Sequence, residues 1–381
     1  FANFIVMGDK KGGGEKVIFE NYSQGVLTAR DSWCYNPSKR ELNSNMDSMI
    51  SFYNHEVDRF HKANSDKTQK ELDLLVDDFI NLDPARISWS RALKKDLRQG
   101  NKYPFQSACL TQGLYRPFTK QWTYFDRRFN EMVYQMPRVF PNQKVENLVI
   151  CIQGTGSKKE FSCIISDTLP NYDNLEKSQC FPLYLYDEDG SNKRDAVTDE
   201  GLAHFQSYYP ELAITKEGLF YYIYGLFHSA EYRICYGDNL SKELPRIPRV
   251  KTAADFIAFE QAGRKLAELH LNYETADCYQ ATIDSNAIED SHYRVVKMKH
   301  PKVKRDGKNE NDLSTIIFNN RITIKNIPEE AYRYVVNGKS AIAWVMERQC
   351  EKEDKDSGIK NDANLWATET MGNAKYPFEL L

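Results

Sequence analysis

No apolar run in this sequence approaches the roughly 20 residues that a membrane-spanning helix needs. The opening residues, FANFIVM, carry neither a basic n-region nor a long apolar core, so no signal peptide is read there. Eight cysteines, at 34, 109, 151, 163, 180, 235, 278 and 350, form no C-x-x-C pair and no Cys/His cluster at zinc spacing. The expectation is scattered reduced thiols in a cytoplasmic protein, with neither disulfides nor metal. Seven histidines, at 55, 61, 204, 228, 270, 292 and 300, form no i, i+4 pair. His228 and His270 lie among apolar residues and read as hydrogen-bonded core or boundary groups rather than catalytic bases.

Cofactor cradles are missing as well. The run GDKKGGG at 8–14 reads as a flexible loop, because Gly14 stands where a P-loop needs its lysine. Gly154-Thr155-Gly156 lacks the third glycine of a dinucleotide fingerprint, and Asn36-Pro37-Ser38 only imitates the Asn-Pro-Pro-aromatic turn of an amine methyltransferase. Both read as turns, so this chain alone is expected neither to hydrolyse ATP nor to transfer methyl groups. Glu353-Asp354-Lys355 has the local spacing of a nuclease centre but sits in a charge run with no partner strand. Catalytic, cofactor and metal residues are therefore assigned to no position. There is no internal repeat and no low-complexity tract.

What is present describes a globular α+β protein. The chain has 381 residues, 41% apolar and 28% charged, enough for two or three domains. Ser38-x-x-Glu41 is a capping box opening a helix with Leu42, Met46, Met49, Ile50, Tyr53, Val57 and Phe60 on one face. Leu72, Leu75, Phe79 and Ile80 mark another helix, and 17–22 reads as a strand. Beyond about residue 104 the texture changes to short strands at 122–125, 148–152, 161–165 and 181–186, which predict mixed or antiparallel sheets with packed helices. Residues 201–215 read as irregular. Leu219, Phe220, Tyr222, Ile223, Leu226 and Phe227 then recur at helical spacing, so one face of a helix must be buried. A second helix at 229–236 is expected to break at Gly237-Asp238-Asn239, before an extended LPRIP at 244–248. Thr252-x-x-Asp255 caps a long helix through Leu269. Tyr293 to Lys299 alternates as a strand, with Val296 and Met298 inward, and Pro301 leads into a loop. A tight hairpin is expected around Asn319-Asn320-Arg321 because asparagine tolerates positive φ. Pro328 opens a short helix, Gly338 turns the chain, and Ser340 starts the last helix.

The net charge of -3 excludes a uniformly basic coat but permits a basic face, since acidic runs offset local clusters. Two basic groups stand out. Arg116, Lys120, Arg127, Arg128 and Arg138 interleave with aromatic residues; Arg294, Lys297, Lys299, Lys302, Lys304, Arg305 and Lys308 are opposed only by Asp306. Lys158 and Lys159, between two strands, form a weaker candidate. Such clusters can track phosphates, and guanidiniums can read guanine edges. The plainer alternative is a solvated face. Most of the aromatic residues, at 13% of the chain, follow helical or strand periods and belong to the core rather than to base-stacking platforms.

The order FPLYLY at 181–186, YIYGLFHSAEYR at 222–233, LPRIP at 244–248 and AGRKLAELHL at 262–271 resembles the carboxy-terminal target-recognition region of type ISP restriction-modification enzymes. These bacterial proteins join nuclease, helicase-like ATPase, adenine methyltransferase and DNA-specificity parts in one polypeptide. NYSQGVLTARDSWCYN at 21–36, YRPFTKQWTYFD at 115–126 and YVVNGKSAIAWVMERQ at 334–349 agree with it. The resemblance implies that residues 1–104 are the end of an adenine methyltransferase domain with a helical connection, and that residues 105–381 are a non-catalytic DNA-specificity domain. It implies duplex DNA and the upstream domains of the same polypeptide as partners. S-adenosylmethionine, ATP and Mg are expected only for those upstream domains. Two rivals remain: a self-contained metal-dependent nuclease, and a protein-docking module of a helicase assembly.

Overall fold

The computed structural model describes residues 3–9, 14 and 16–381. Most of the glycine-lysine run at 8–14 thus lies outside the described residues. After the short helix α1 (Asp31–Cys34), Ser38 caps α2 (Lys39–Ala63) by accepting from the Glu41 N–H, and all seven apolar residues expected on its inner face are buried. The capping box is only half made there, because the Ser38 hydroxyl donates to Glu369 at 2.7 Å and Glu41 pairs with Arg40 instead. A reciprocal box forms at Thr68 and Glu71, opening α3 (Gln69–Phe79), and α4 (Arg91–Arg98) completes a helical unit whose core is shared with Leu110, Tyr124, Phe129 and Ile359. That unit packs on a four-stranded sheet ordered Tyr35–Asn36, Thr119–Tyr124, Leu110–Arg116 and Leu169–Pro170, the last pairing parallel.

A second sheet, antiparallel throughout, runs Ser23–Gln24, Gln179–Pro182, Val149–Ile152 and Cys163–Ser166. Residues 17–22 do not make the expected strand: only Val17 and Phe19 form isolated bridges, to Val6 and Val197. The stretch after Thr198 is not irregular at its start, because the Thr198 hydroxyl caps α5 (Asp199–Gln206). Helix α6 (Lys216–Phe227) is buried on nearly every side rather than on one face. Two glycines explain part of this: a Cβ on Gly225 would lie 2.2 Å from the Phe259 carbonyl oxygen, and one on Gly263 only 1.9 Å from that of Tyr221. Their absence of side chains lets α6 touch α8 (Ala253–Leu271) backbone to backbone, with Tyr222 stacked on Phe256 at 4.4 Å.

Between them, α7 (Ala230–Leu240) runs straight through Gly237-Asp238-Asn239, where a break was expected. Tertiary context outweighs the roughly 1 kcal/mol that a helical glycine costs. The LPRIP segment is extended as expected, and Arg246–Pro248 pairs antiparallel with Phe4–Val6. Three tyrosine hydroxyls fasten it, from Tyr209 to Val250, Tyr222 to Pro248 and Tyr232 to Arg246. Among the described residues no helix is long and apolar enough to cross a membrane.

The remaining third has a small core of Val295, Met298, Ile316, Phe318, Ile322 and Ile324 under a sheet ordered Thr282–Ser285, Ile322–Lys325 and Ile316–Ile317. The hairpin at Asn319 forms, but not through positive φ. The Asn319 side-chain oxygen instead accepts from the Arg321 and Ile322 amides. Residues 293–299 are not a regular strand: Val295 rather than Val296 faces the core, and Val296 is 59% exposed. The expected loop after Pro301 is a two-stranded ribbon, Lys302–Arg305 against Lys308–Asn311. Ser340 caps α9 (Ala341–Arg348), which is not the last helix; α10 (Ala363–Leu365), a π-helical turn at Trp366–Thr370 and α11 (Tyr376–Glu379) follow.

Candidate nucleic-acid interface

The first basic group is largely committed to partners within the protein. Arg116, on the strand Leu110–Arg116, pairs with Asp31 at 3.2 Å, donates to Asn171 at 2.9 Å and covers the Tyr115 ring. Lys120 lies between Glu274 at 3.0 Å and Asp167 at 3.6 Å with only 11% of its side chain exposed. Burial works against its charge, but the two carboxylates outweigh that penalty and raise its pKa. Arg127 meets Glu188 at 2.6 Å, and Arg128 meets Asp126 at 3.4 Å beside the Tyr103 ring. Arg116 and Lys120 must abandon a carboxylate before they can take a phosphate, which is strongly unfavourable for so buried a pair, whereas the exposed pairs of Arg127 and Arg128 cost little to exchange. Half-buried Arg138 joins no ion pair within 4.0 Å among the described residues, so it is the least committed of the five.

The second group divides differently. Arg294 is held by Asp362 at 2.6 Å and Glu351 at 2.8 Å; burial opposes its charge, and those two acids restore it. Lys297, Lys299, Lys302 and Lys304 are exposed and belong to no ion pair among the described residues. Lys158 and Lys159 are likewise exposed and outside any such pair. The side chain of Arg305 lies outside the described residues. Free, solvated lysines can bind phosphate without first breaking an internal contact, so among these candidate groups the charge most available to a polyanion lies at 297–304 and at 158–159.

Sequence reasoning missed a polar cavity of about 540 Å³ lined by Arg30, Trp33, Tyr115, Gln121 and Arg348, among others. Arg30 is 4% exposed; its Nε donates to the Ser88 carbonyl at 3.1 Å and its Nη1 to that of Phe129, while burial pushes its pKa down. All three stretches that agree with the family resemblance, at 21–36, 115–126 and 334–349, send residues to this cavity. No charge pattern marked it, because its basic residues are scattered singly through the sequence. Its walls and rim also carry Asp31, Glu347, Glu353, Asp354 and Asp356, so it is a poor track for phosphates. Asp354 serves a turn: it accepts from the Ser357 amide and hydroxyl, which hold its pKa below the usual carboxylate value. Among the described residues no group of three His, Cys, Asp or Glu is placed to hold a metal ion.

His228 and His270 sit where the sequence put them, within the core. Their rings are 5.4 Å apart, and His270 Nδ1 lies 2.5 Å from the Tyr224 hydroxyl. Burial drives their pKa values down, to about 4 for His228 and about 3 for His270, so both rings are neutral at pH 7.

A family model described as the Type ISP C-terminal specificity domain matches residues 17–380. Among solved structures, a nuclease-deletion mutant of the Type ISP restriction-modification enzyme LlaGI in complex with a DNA substrate mimic is 36% identical, with a TM-score of 0.84 over 99% of this chain and 32% of that one. The ATP-dependent Type ISP enzyme LlaBIII bound to DNA is 35% identical, with a TM-score of 0.82 over 99% of this chain and 23% of that one. A DrdV-DNA complex is 29% identical, with a TM-score of 0.81 over 99% of this chain and 36% of that one. No curated protein sequence matches. This chain thus spans about a third or less of the LlaGI and LlaBIII chains. With the match running nearly end to end, the chain belongs to the Type ISP C-terminal specificity domain family.

Proposed function

We propose that this chain is the DNA-specificity region of a restriction-modification enzyme, holding duplex DNA in register against catalytic domains elsewhere in the same polypeptide. The observation that carries the reading is the run of exposed lysines at 297, 299, 302 and 304 that join no ion pair among the described residues, whereas four of the five basic residues from Arg116 to Arg138 are paired internally. The DNA-bound relatives support it. Phosphate contacts would set register, and side chains in a groove would read sequence. Residues 1–104 are assigned to the end of an adenine methyltransferase domain with its helical connection, and 105–381 to target recognition. The division rests on the family resemblance; the core around α2 to α4 also takes in Leu110, Tyr124, Phe129 and Ile359, and Tyr35–Asn36 pairs with Thr119–Tyr124 across the boundary. The parent enzyme would act in the cytoplasm, with S-adenosylmethionine, ATP and Mg used by domains upstream.

The test is a salt series. Each phosphate contact releases condensed counterions, giving a log-log slope near -0.9 per contact. Replacing Lys302 and Lys304 by alanine should flatten the slope by about two units while leaving sequence preference nearly intact. An unchanged slope in the folded double variant would show that these lysines merely face solvent.

A further inference from the structure

The ribbon that replaced the expected loop has a geometry the charge count did not reveal. Asp306 and Gly307 both have positive φ, 46° and 76°, the two-residue turn whose twist matches that of paired strands. At the base, the Asp312 amide donates to the Pro301 carbonyl at 2.9 Å. Beyond that clamp no residue from 302 to 311 joins any hydrophobic cluster, and all described side chains are exposed except half-buried Val303. A ribbon that buries so little adds little to stability. Two strands of four residues reach about 13 Å, enough to enter a major groove roughly 8.5 Å deep, which admits a two-stranded ribbon.

Register decides which side chains share a face. Lys302 lies opposite Asn311 and Lys304 opposite Asn309, and directly opposed residues project to the same side. That side carries two lysines, two asparagines and no acid. The other side has Val303 opposite Glu310, with exposed Lys308 two positions before that acid. The amides of Asn309 and Asn311 make no hydrogen bond within the described protein, and an asparagine amide can pair bidentately with the N6 and N7 edge of adenine.

We infer that the ribbon Lys302–Asn311 enters the major groove of DNA with its Lys302, Lys304, Asn309 and Asn311 face on the base edges, and that Asn309 and Asn311 read adenine. The inference rests on the DNA-binding reading above and deepens it. Lysines on this face reach flanking phosphates, and the asparagines supply discrimination without charge. The face with Val303, Glu310 and Lys308 turns away from the duplex.

The experiment is selection from a randomised duplex library, with the whole chain as bait, for the parent and for Asn309→Ala/Asn311→Ala. Both substitutions are on exposed positions, and circular dichroism would confirm an unchanged fold. The expected result is a motif that degenerates at one or two A·T pairs, with affinity for the parent's preferred duplex falling about ten-fold or more per lost contact. The salt slope should stay that of the parent, because no charge is removed. A double variant that selects the parent's motif with the parent's affinity overturns the inference and leaves the DNA-binding reading standing. A parent that binds no duplex overturns both.

Discussion

Helix α6 and the Lys302–Asn311 ribbon are opposite uses of the same polypeptide. From Gly218 to Phe227 only Tyr221 reaches solvent, and the helix is fixed by glycine contacts, ring stacking and the Tyr222 hydroxyl, which donates to the Pro248 carbonyl. The ribbon is fixed by its turn and its strand pairing, with almost nothing beneath it. The difference teaches that burial and exposed positive charge are placed in separate segments here, and the inference above gives recognition to the second. Substitutions in α6 should alter stability first, whereas those in the ribbon should alter binding alone.

The contrast can be broken most severely at Phe227, whose side chain is fully buried. Phe227→Ala should cost about 3–5 kcal/mol, measured by denaturant unfolding. A variant that unfolds like the parent yet loses DNA would make α6 a contact surface and end the comparison. Acid should act next, also through the buried side. His228 and His270 have folded pKa values depressed to about 4 and about 3, below the roughly 6.5 of an unfolded histidine. The unfolded state therefore binds more protons in between, so their contribution is complete above about pH 6.5 and is lost as pH falls toward 4 and then 3, amounting to a few kcal/mol. In thermal melts across that range, His270→Gln should lose less stability on acidification than the parent.

Gly263→Ala comes third. Its new methyl would strike the Tyr221 carbonyl and force α6 and α8 apart, at about 1–3 kcal/mol, with the melting temperature as the readout. The smallest effect belongs to the ribbon: Lys302→Ala/Lys304→Ala should change folding stability by no more than about 0.5 kcal/mol. A larger loss would mean that the ribbon helps to hold the fold, which would blur the distinction.

The sequence revealed elements whose causes are local. Helix α2 was legible from Ser38 and the three- and four-residue spacing of Leu42 through Phe60. The all-round burial of α6 was not, because it depends on Gly263 some forty positions away. Helix α5 was overlooked because so short an element buries little beyond Gly201 and Phe205. The ribbon was passed over although Asp306-Gly307 is a strong hairpin signal; with only Val303 apolar, it lacks the alternation that marks a strand. At the candidate interface the positive charges were legible and their partners were not. Arg116 and Lys120 look like free cations until the fold brings up Asp31, Asp167 and Glu274. The cavity beneath Arg30 was hidden for the same reason, since its walls come from both ends of the chain.

The joins between those ends bear on how the chain matures. The Asn36 side chain donates to the Lys360 carbonyl at 3.0 Å, Ser38 to Glu369, and the Trp122 indole to Thr370 at 3.0 Å. Helices α2 to α4 pack mostly on one another and on residues 103–129, so most of their contacts can form while the polypeptide is still emerging from the ribosome. The three closures cannot: they wait until residues 360 to 370 have been synthesised, and high sequence separation makes such contacts slow to form. The strand Phe4–Val6 waits similarly for Arg246–Pro248. During synthesis, therefore, the beginning of this chain is held unfinished by its end, and a ribosome halted before residue 360 would leave the cap of α2 without its carboxylate partner.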